Sequence, residues 1–227
     1  MFHKTLKTSF FLITLYIYKR NTFISGDIDI IFKITPETTK EEVEQWLDKI
    51  KPKEIGSMYA NNIWIHFYWE HSLENYEYKE AAILKLWQEA AEKSADEVLK
   101  IAKKTCYLQG KWIIKSESSV DEDWKNVVHG IMEKNFGKNI LHATVDCLAS
   151  KIRIITKNFA DEQSVLQCET DLRRSGIRSK MFYRPSIFPL LKPDVMSGMY
   201  HSKYSQNGIK FNTPNEEMIS KIKTIMK

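Results

Sequence analysis

Two short segments constrain the fold more than any other part of the chain: Gly110-Lys111-Trp112, and Val120-Asp121-Glu122-Asp123-Trp124 just beyond it. The first reads as a strand, because a glycine leads into aromatic and β-branched residues (Trp112, Ile113, Ile114). The second opens an amphipathic helix, with Trp124, Val127, Val128, Ile131 and Met132 at three- and four-residue intervals. A polar turn joins the two. This strand–turn–helix unit implies a sheet with helices laid against it.

Other elements extend the pattern. Thr38-x-x-Glu41 reads as a capping box, ahead of a helix that presents Val43, Trp46, Leu47 and Ile50 and stops at Lys51-Pro52. Residues 62–69 alternate, with Ile63, Ile65, Phe67 and Trp69 on one face and Trp64, His66 and Tyr68 on the other. Helical spacing runs from about 76 to 106, broken by a second box at Ser94-x-x-Glu97. Ser119-x-x-Glu122 is expected to cap the Trp124 helix, and Gly137 to end it. Residues 139–147 and 151–157 read as a hairpin, with Ile152 and Ile154 inward and Lys151, Arg153 and Lys157 outward. A helix from Asp161 to Ser175 stops at Gly176, and a strand over 177–184 ends at Arg184-Pro185.

That order lacks the regular βαβα alternation of a doubly wound sheet. It predicts an α+β fold, a single curved and mostly antiparallel sheet with helices packed on one face. Six Trp, ten Tyr and eleven Phe against eight Gly and six Pro indicate a packed core rather than a disordered chain. One domain is expected over 29–200, with an N-terminal extension (1–28) that is either unstructured or an added strand, the alternative being a targeting segment, since its apolar run resembles a signal-peptide core. Residues 201–227 are expected to form a basic tail with a weakly docked short helix. The apolar run Phe10–Tyr18 is far short of the ~20 residues that span a bilayer, so no membrane span is expected.

Three cysteines (Cys106, Cys147, Cys168) without a CxxC pattern predict neither a zinc site nor a disulfide framework, only reduced buried thiols. A cytoplasmic location follows as an expectation, with the nucleus as the alternative. Residues 173–227 carry 11 Lys/Arg against 3 Asp/Glu, whereas the rest of the chain carries 23 against 26. Such a basic end suits phosphate or another anionic partner.

No phosphate-binding glycine loop, zinc-protease or hydrolase signature occurs, so no catalytic residue, cofactor or metal is expected. Asp121, Glu122 and Asp123 read as first-turn carboxylates favoured by the helix dipole. Cys147 is a candidate nucleophile only through its nearness to His142, and strand alternation sends those two side chains to opposite faces. The same alternation puts Arg178, Lys180, Phe182 and Arg184 on one face.

Several motifs then appear in a telling order. They are Trp46-Leu47, Asn62-Ile63-Trp64-Ile65, Gly110-Lys111-Trp112-Ile113, Asp121-x-x-Trp124, Ile154-Ile155-Thr156 with Asn158-Phe159-Ala160-Asp161-Glu162, Leu172-Arg173-x-x-Gly176-Ile177, and Tyr183-Arg184-Pro185-x-Ile187. Over roughly 29–200 the chain resembles the eukaryotic basophilic-leukaemia-expressed protein family. That family is similar in fold to the mRNA cap-binding translation initiation factor. The chain departs from its family at Thr144, where a Lys is expected, at Ser186, where an acidic residue is expected, and at Phe188-Pro189-Leu190-Leu191, which replaces a Tyr-rich segment. The factor's phosphate-binding Arg would fall near Val145-Asp146, where no basic residue stands.

Pattern and resemblance together predict a non-enzymatic protein that binds RNA or a phosphorylated nucleotide on the concave sheet face. Trp64, Tyr68 and Phe182 would supply aromatic surface there, and Lys111, Arg153, Lys180 and Arg184 would contact phosphate. The alternative is a protein-interaction scaffold that uses the helical back, helices 77–106 and 120–135.

Overall fold

The computed structural model describes residues 16–19, 28–59, 62–69, 77–116, 118–133, 140–191, 198–204 and 210–227. Among them nine strands form one sheet. Across it the order is β1 (Tyr16–Lys19), β2 (Ile28–Ile34), β3 (Ile63–Trp69), β5 (Ile140–Asp146), β6 (Lys151–Thr156), β4 (Gly110–Lys115), β7 (Lys180–Pro185), β8 (Tyr200–Tyr204) and β9 (Lys210–Pro214). β2 and β3 pair in parallel, and every other neighbouring pair is antiparallel. The helices are α1 (Lys40–Lys49), α2 (Pro52–Met58), α3 (Glu77–Glu89), α4 (Ala95–Thr105), α5 (Val120–Met132), α6 (Glu162–Arg174), α7 (Ile187–Leu191) and α8 (Glu216–Met226). The class is α+β, as the element order predicts.

Alternation explains the layering. Ile65 and Phe67 on β3, Val145 on β5, Ile154 on β6, Trp112 on β4 and Tyr183 on β7 all point to one face and are fully buried. Trp46 of α1, Leu99 of α4, Trp124 of α5 and Val165 of α6 close that face into one core. Rings tie the layers: Phe32 meets Trp46 at 4.7 Å and Phe67 at 5.4 Å, and Trp46 meets Trp124 at 6.4 Å. Trp112 donates its indole N–H to the Val165 carbonyl (3.1 Å), which pins α6 to β4. Trp87 of α3 is only half-buried, with the Lys93 ammonium over its ring.

Gly110 is required by close approach. A Cβ there would lie 2.0 Å from the Tyr183 hydroxyl oxygen and 2.5 Å from Cζ. Tyr183 cannot retreat, being fully buried and bonded to Thr156 Oγ1 at 2.6 Å. Gly110→Ala is therefore expected to cost about 3 kcal/mol, at the upper end of ordinary overpacking, seen as a lower urea midpoint. An unchanged midpoint would mean that the ring has room to move.

The helix ends follow local chemistry. Thr39, not Thr38, caps α1: its side chain accepts from the Glu42 N–H, and Glu42 reaches back to the Thr39 N–H, a capping box one residue later than expected. Thr38 instead bonds Thr35. Ser94 caps α4 as predicted. Ser119 does not cap α5, because its hydroxyl donates to the buried Asp123 carboxylate at 3.0 Å. At the end of α6 the N–H of Gly176 (φ +100°) bonds the Arg173 carbonyl and the N–H of Ile177 bonds that of Leu172, a Schellman motif that turns the chain into β7. Pro52 begins α2 as well as ending α1. Gly137 lies outside the described residues.

The segment beyond residue 200, expected as a tail, joins the fold. β8 and β9 extend the sheet past β7, and α8 buries Met218, Ile219 and Ile222. The reason lies in the α4 stripe, which needs an apolar cover, and α8 packs on it. At the other edge residues 16–19 of the expected extension pair with β2, and the rest of the apolar run lies outside the described residues. No helix among the described residues is long and apolar enough to cross a membrane.

Candidate functional site

The sheet face away from the helices carries the chemistry. Cross-strand register sorts its side chains into three rows. Trp64, Asp146, Lys151, Lys115 and Lys180 form one row, running from β3 through β5, β6 and β4 to β7. His66, Thr144, Arg153, Ile113, Phe182 and His201 form the middle row. Tyr68, His142, Ile155, Lys111 and Arg184 form the third.

Arg153 sits at the junction. Its guanidinium lies over the Trp64 ring at 4.1 Å and reaches the Asp146 carboxylate at 3.9 Å. Asp146 already accepts the Ala149 N–H at the β5–β6 turn (2.9 Å). Asn62, with its amide turned to satisfy both neighbours, accepts from the Trp64 indole and donates to Asp146. Lys111 and Arg184 stand directly opposite one another on β4 and β7. No carboxylate pairs with either among the described residues, and the Arg184 Nε is buried without a hydrogen-bond partner.

The electrostatics follow from that crowding. Burial holds the Lys111 ammonium down to about 7, and the nearby Arg153 and Arg184 charges add to the effect. Burial also lowers Arg153 and Arg184 from the ordinary arginine value, and Asp146 partly offsets this at Arg153. His142 is pushed down to about 3 by burial, then by His66 and Lys111, so it is neutral, and its Nδ1 has no partner. His66 bonds Asp29 through Nε2 at 3.1 Å.

Of the seven residues predicted for a ligand site, the fold brings Trp64, Lys111, Arg153 and Arg184 together in the centre of this face. Phe182 is adjacent, half-buried and stacked on His201 at 6.1 Å. Tyr68 shares the face but is 4% exposed, so it offers no open ring. Lys180 is exposed at the other end of β7, away from Arg184. Arg178 lies outside the strand and donates to the Arg173 carbonyl, closing the end of α6. Sequence reasoning passed over Lys115 and Lys151, although period two from Lys111 and Arg153 points to both.

The remaining candidates are structural. Burial, Asp146 and Asp121 push the Cys147 thiol up to about 12, far from a reactive thiolate. Cys168 is buried and likewise raised, while Cys106, expected inside, is exposed at the end of α4. Asp121 accepts the Lys53 N–H, and Asp123 takes the Ser119 and Ser179 hydroxyls. The described residues include no cluster suited to a metal ion.

Comparison with known proteins decides the family. The model of the basophilic leukemia-expressed protein Bles03 family matches residues 22–192. The chain belongs to the Bles03 family. No curated protein shows significant sequence similarity to it. Among solved structures, this Bles03 chain is similar to a schistosome eIF4E in complex with m7GpppA and 4E-BP. The identity is 14%, over 82% of this chain and 93% of that one, with a TM-score of 0.50. Two nematode proteins match less of it. Caenorhabditis elegans eIF4E-3, with the 4E-binding protein Mextli and a cap analog, is 16% identical over 41% of this chain, at a TM-score of 0.34. Ascaris suum eIF4E-3, with an m2,2,7G cap, is 15% identical over 37%, at 0.32. The match spans 58% and 53% of those two chains. At such identities the likeness establishes an eIF4E-like fold for this Bles03 protein and nothing finer.

Proposed function

We propose that this Bles03 protein is a binding protein, not an enzyme, and that the sheet face away from the helices holds a phosphorylated nucleotide or the phosphorylated end of an RNA. One observation carries the reading. Lys111, Arg153 and Arg184 converge on three adjacent strands, and among the described residues a single carboxylate, Asp146, pairs with one of them. Three half-buried cations held this close repel one another, and a phosphate dianion removes that repulsion. The half-buried Phe182 supplies a ring beside them. The schistosome eIF4E that shares the fold was solved with m7GpppA, which agrees with a nucleotide on this fold.

AMP or ATP binding, followed by calorimetry at low ionic strength, tests this. Lys111→Ala/Arg184→Ala is expected to weaken binding at least tenfold, at about 1.4 kcal/mol per decade. Absence of binding by the unaltered protein overturns the reading. The pH dependence has a definite sign. The free protein loses the Lys111 charge as pH rises through about 7, whereas bound phosphate restores it. Affinity therefore falls from pH 7 toward 9, with proton uptake on binding, and Lys111→Arg flattens that fall.

A second reading, a protein partner, is favoured by a different observation. Met58 (65% exposed), Tyr59 (52%) and Leu148 (59%) surround the point where Gly56 of α2 meets the β5–β6 turn. The helical back is less apolar, since α8 covers the α4 stripe and, among the described residues, Leu84 is the one large exposed apolar side chain on α3–α5. Met58→Asp/Leu148→Asp should abolish capture of a specific protein from lysate without changing nucleotide binding. Unchanged capture removes this reading.

A further inference from the structure

Lys151, Lys115 and Lys180 stand abreast on β6, β4 and β7, with Lys115 in register with both of the others. Like charges directly opposite on neighbouring strands destabilise a sheet. With strands about 4.8 Å apart, the row sets three ammonium groups along roughly 10 Å. None of them forms an ion pair among the described residues. Asp146 faces Lys151, but its carboxylate serves the turn N–H and Arg153. Lys115 and Lys180 are exposed.

This row differs in kind from the Lys111–Arg153–Arg184 group. The group is half-buried and convergent, which suits one multiply charged end. The row is open and evenly spaced, which suits a succession of single charges. Lys115 lies four positions beyond Lys111 along β4, about 13 Å away. Between them lies the middle row, where Phe182 stacks on His201 and the Lys115 ammonium approaches the Phe182 ring to 5.9 Å. Cation, aromatic pair and cation thus follow one another along the strands, an order that matches phosphate, base and phosphate.

We infer that the lysine row is the exit track of a single-stranded RNA whose 5′-terminal phosphate occupies the Lys111–Arg153–Arg184 group, with a base laid on the Phe182–His201 pair. The inference rests on the nucleotide reading above and extends it from a mononucleotide to a strand. Trp64 is not the stacking ring, since the Arg153 guanidinium packs on it at 4.1 Å, whereas the Lys115 ammonium stands off Phe182 at 5.9 Å. A duplex would not serve, because the aromatic pair needs an unstacked base.

The test compares three probes by fluorescence anisotropy competition: AMP, a 5′-phosphorylated hexauridylate, and the same hexamer with a 5′-hydroxyl. The phosphorylated hexamer should bind about tenfold tighter than AMP at low salt and tighter than the hydroxyl form. Lys115→Gln/Lys151→Gln should bring the hexamer back to the affinity of AMP and leave AMP itself unchanged. The salt slope for the hexamer should drop by about 1.4, or roughly 0.7 for each single-strand phosphate that the variant no longer neutralises. A melting temperature equal to or above that of the unaltered protein shows that the variant is folded. If AMP binds but the hexamer gains nothing, or if the double variant leaves its affinity and salt slope untouched, the track is overturned and the nucleotide site stands. Failure of all three probes removes the nucleotide reading itself. Lysine-dependent binding to phosphatidylserine vesicles without any hexamer binding overturns the RNA assignment.

Discussion

Arg173→Ala is expected to lower stability by about 3–5 kcal/mol and the melting temperature by roughly 10–15 °C. Arg173 is 5% exposed and its partner Glu169 1%. Its Nε donates to Glu169 at 3.3 Å, one terminal nitrogen donates to the Ile177 and Ser179 carbonyls, and the other donates to Ser202 Oγ. Ser202 in turn donates to Glu169 at 2.7 Å. The guanidinium thus ties the end of α6, the turn into β7 and strand β8 into one knot. Alanine leaves the Glu169 carboxylate buried without its cation and strands two carbonyls. Replacing both partners together, Glu169→Leu/Arg173→Met, should recover much of the loss, because the uncompensated charge is then gone. Urea titration of the singles and the double gives the coupling. A single variant within 1 kcal/mol of the unaltered protein would falsify this account. Arg173 belongs to the same basic stretch of sequence as Arg184, so a phosphate-binding role would predict the opposite pattern, normal stability with weakened nucleotide binding.

Removal of residues 215–227 should have the largest effect on stability. Met218, Ile219 and Ile222 of α8 are each about 95% buried or more, and burial of one such side chain contributes about 1.5–3 kcal/mol. The three together amount to roughly 5–8 kcal/mol, an upper figure because the unfolded chain already hides part of that area. Lys103 donates to the Ile225 carbonyl, while Lys221 pairs with Asp96 and Lys223 with Glu162, fixing the helix over α4. Truncation should therefore drop the melting temperature by more than about 10 °C and expose the α4 stripe, with aggregation or dye binding as the visible sign. A melting temperature within about 3 °C of the full chain would make α8 an accessory, as its isolated helical propensity suggests.

The contrast between Arg173 and Arg184 shows what kind of information each level holds. Alternation along β4, β6 and β7 is written in the chain, so Lys111, Arg153, Phe182 and Arg184 could be assigned to one side of a sheet from their spacing. Trp112, Trp124 and the Gly176 stop were equally legible, because a strand period, a helix period and a left-handed C′ residue are local properties. The cap at Thr39 falls one residue from the expected position, since Thr38 and Thr39 offer the same chemistry and the difference lies in Thr38 bonding Thr35. The docking of α8 was not legible, because an amphipathic helix does not say which surface it covers.

What the sequence determined by itself is the inventory: elements, their faces, and a surplus of cations on three strands. Only the tertiary structure decided which strands are neighbours. β6 lies between β5 and β4, and β7 on the far side of β4, so Trp64 meets Arg153 and Lys111 meets Arg184 across gaps of many residues. Burial then separated cations of one composition into different roles. Arg173 lost its water and gained Glu169, whereas Lys111 and Arg184 lost much of theirs and gained no carboxylate among the described residues. Charge pairing and desolvation act through space at a few ångströms, and sequence spacing does not record those distances.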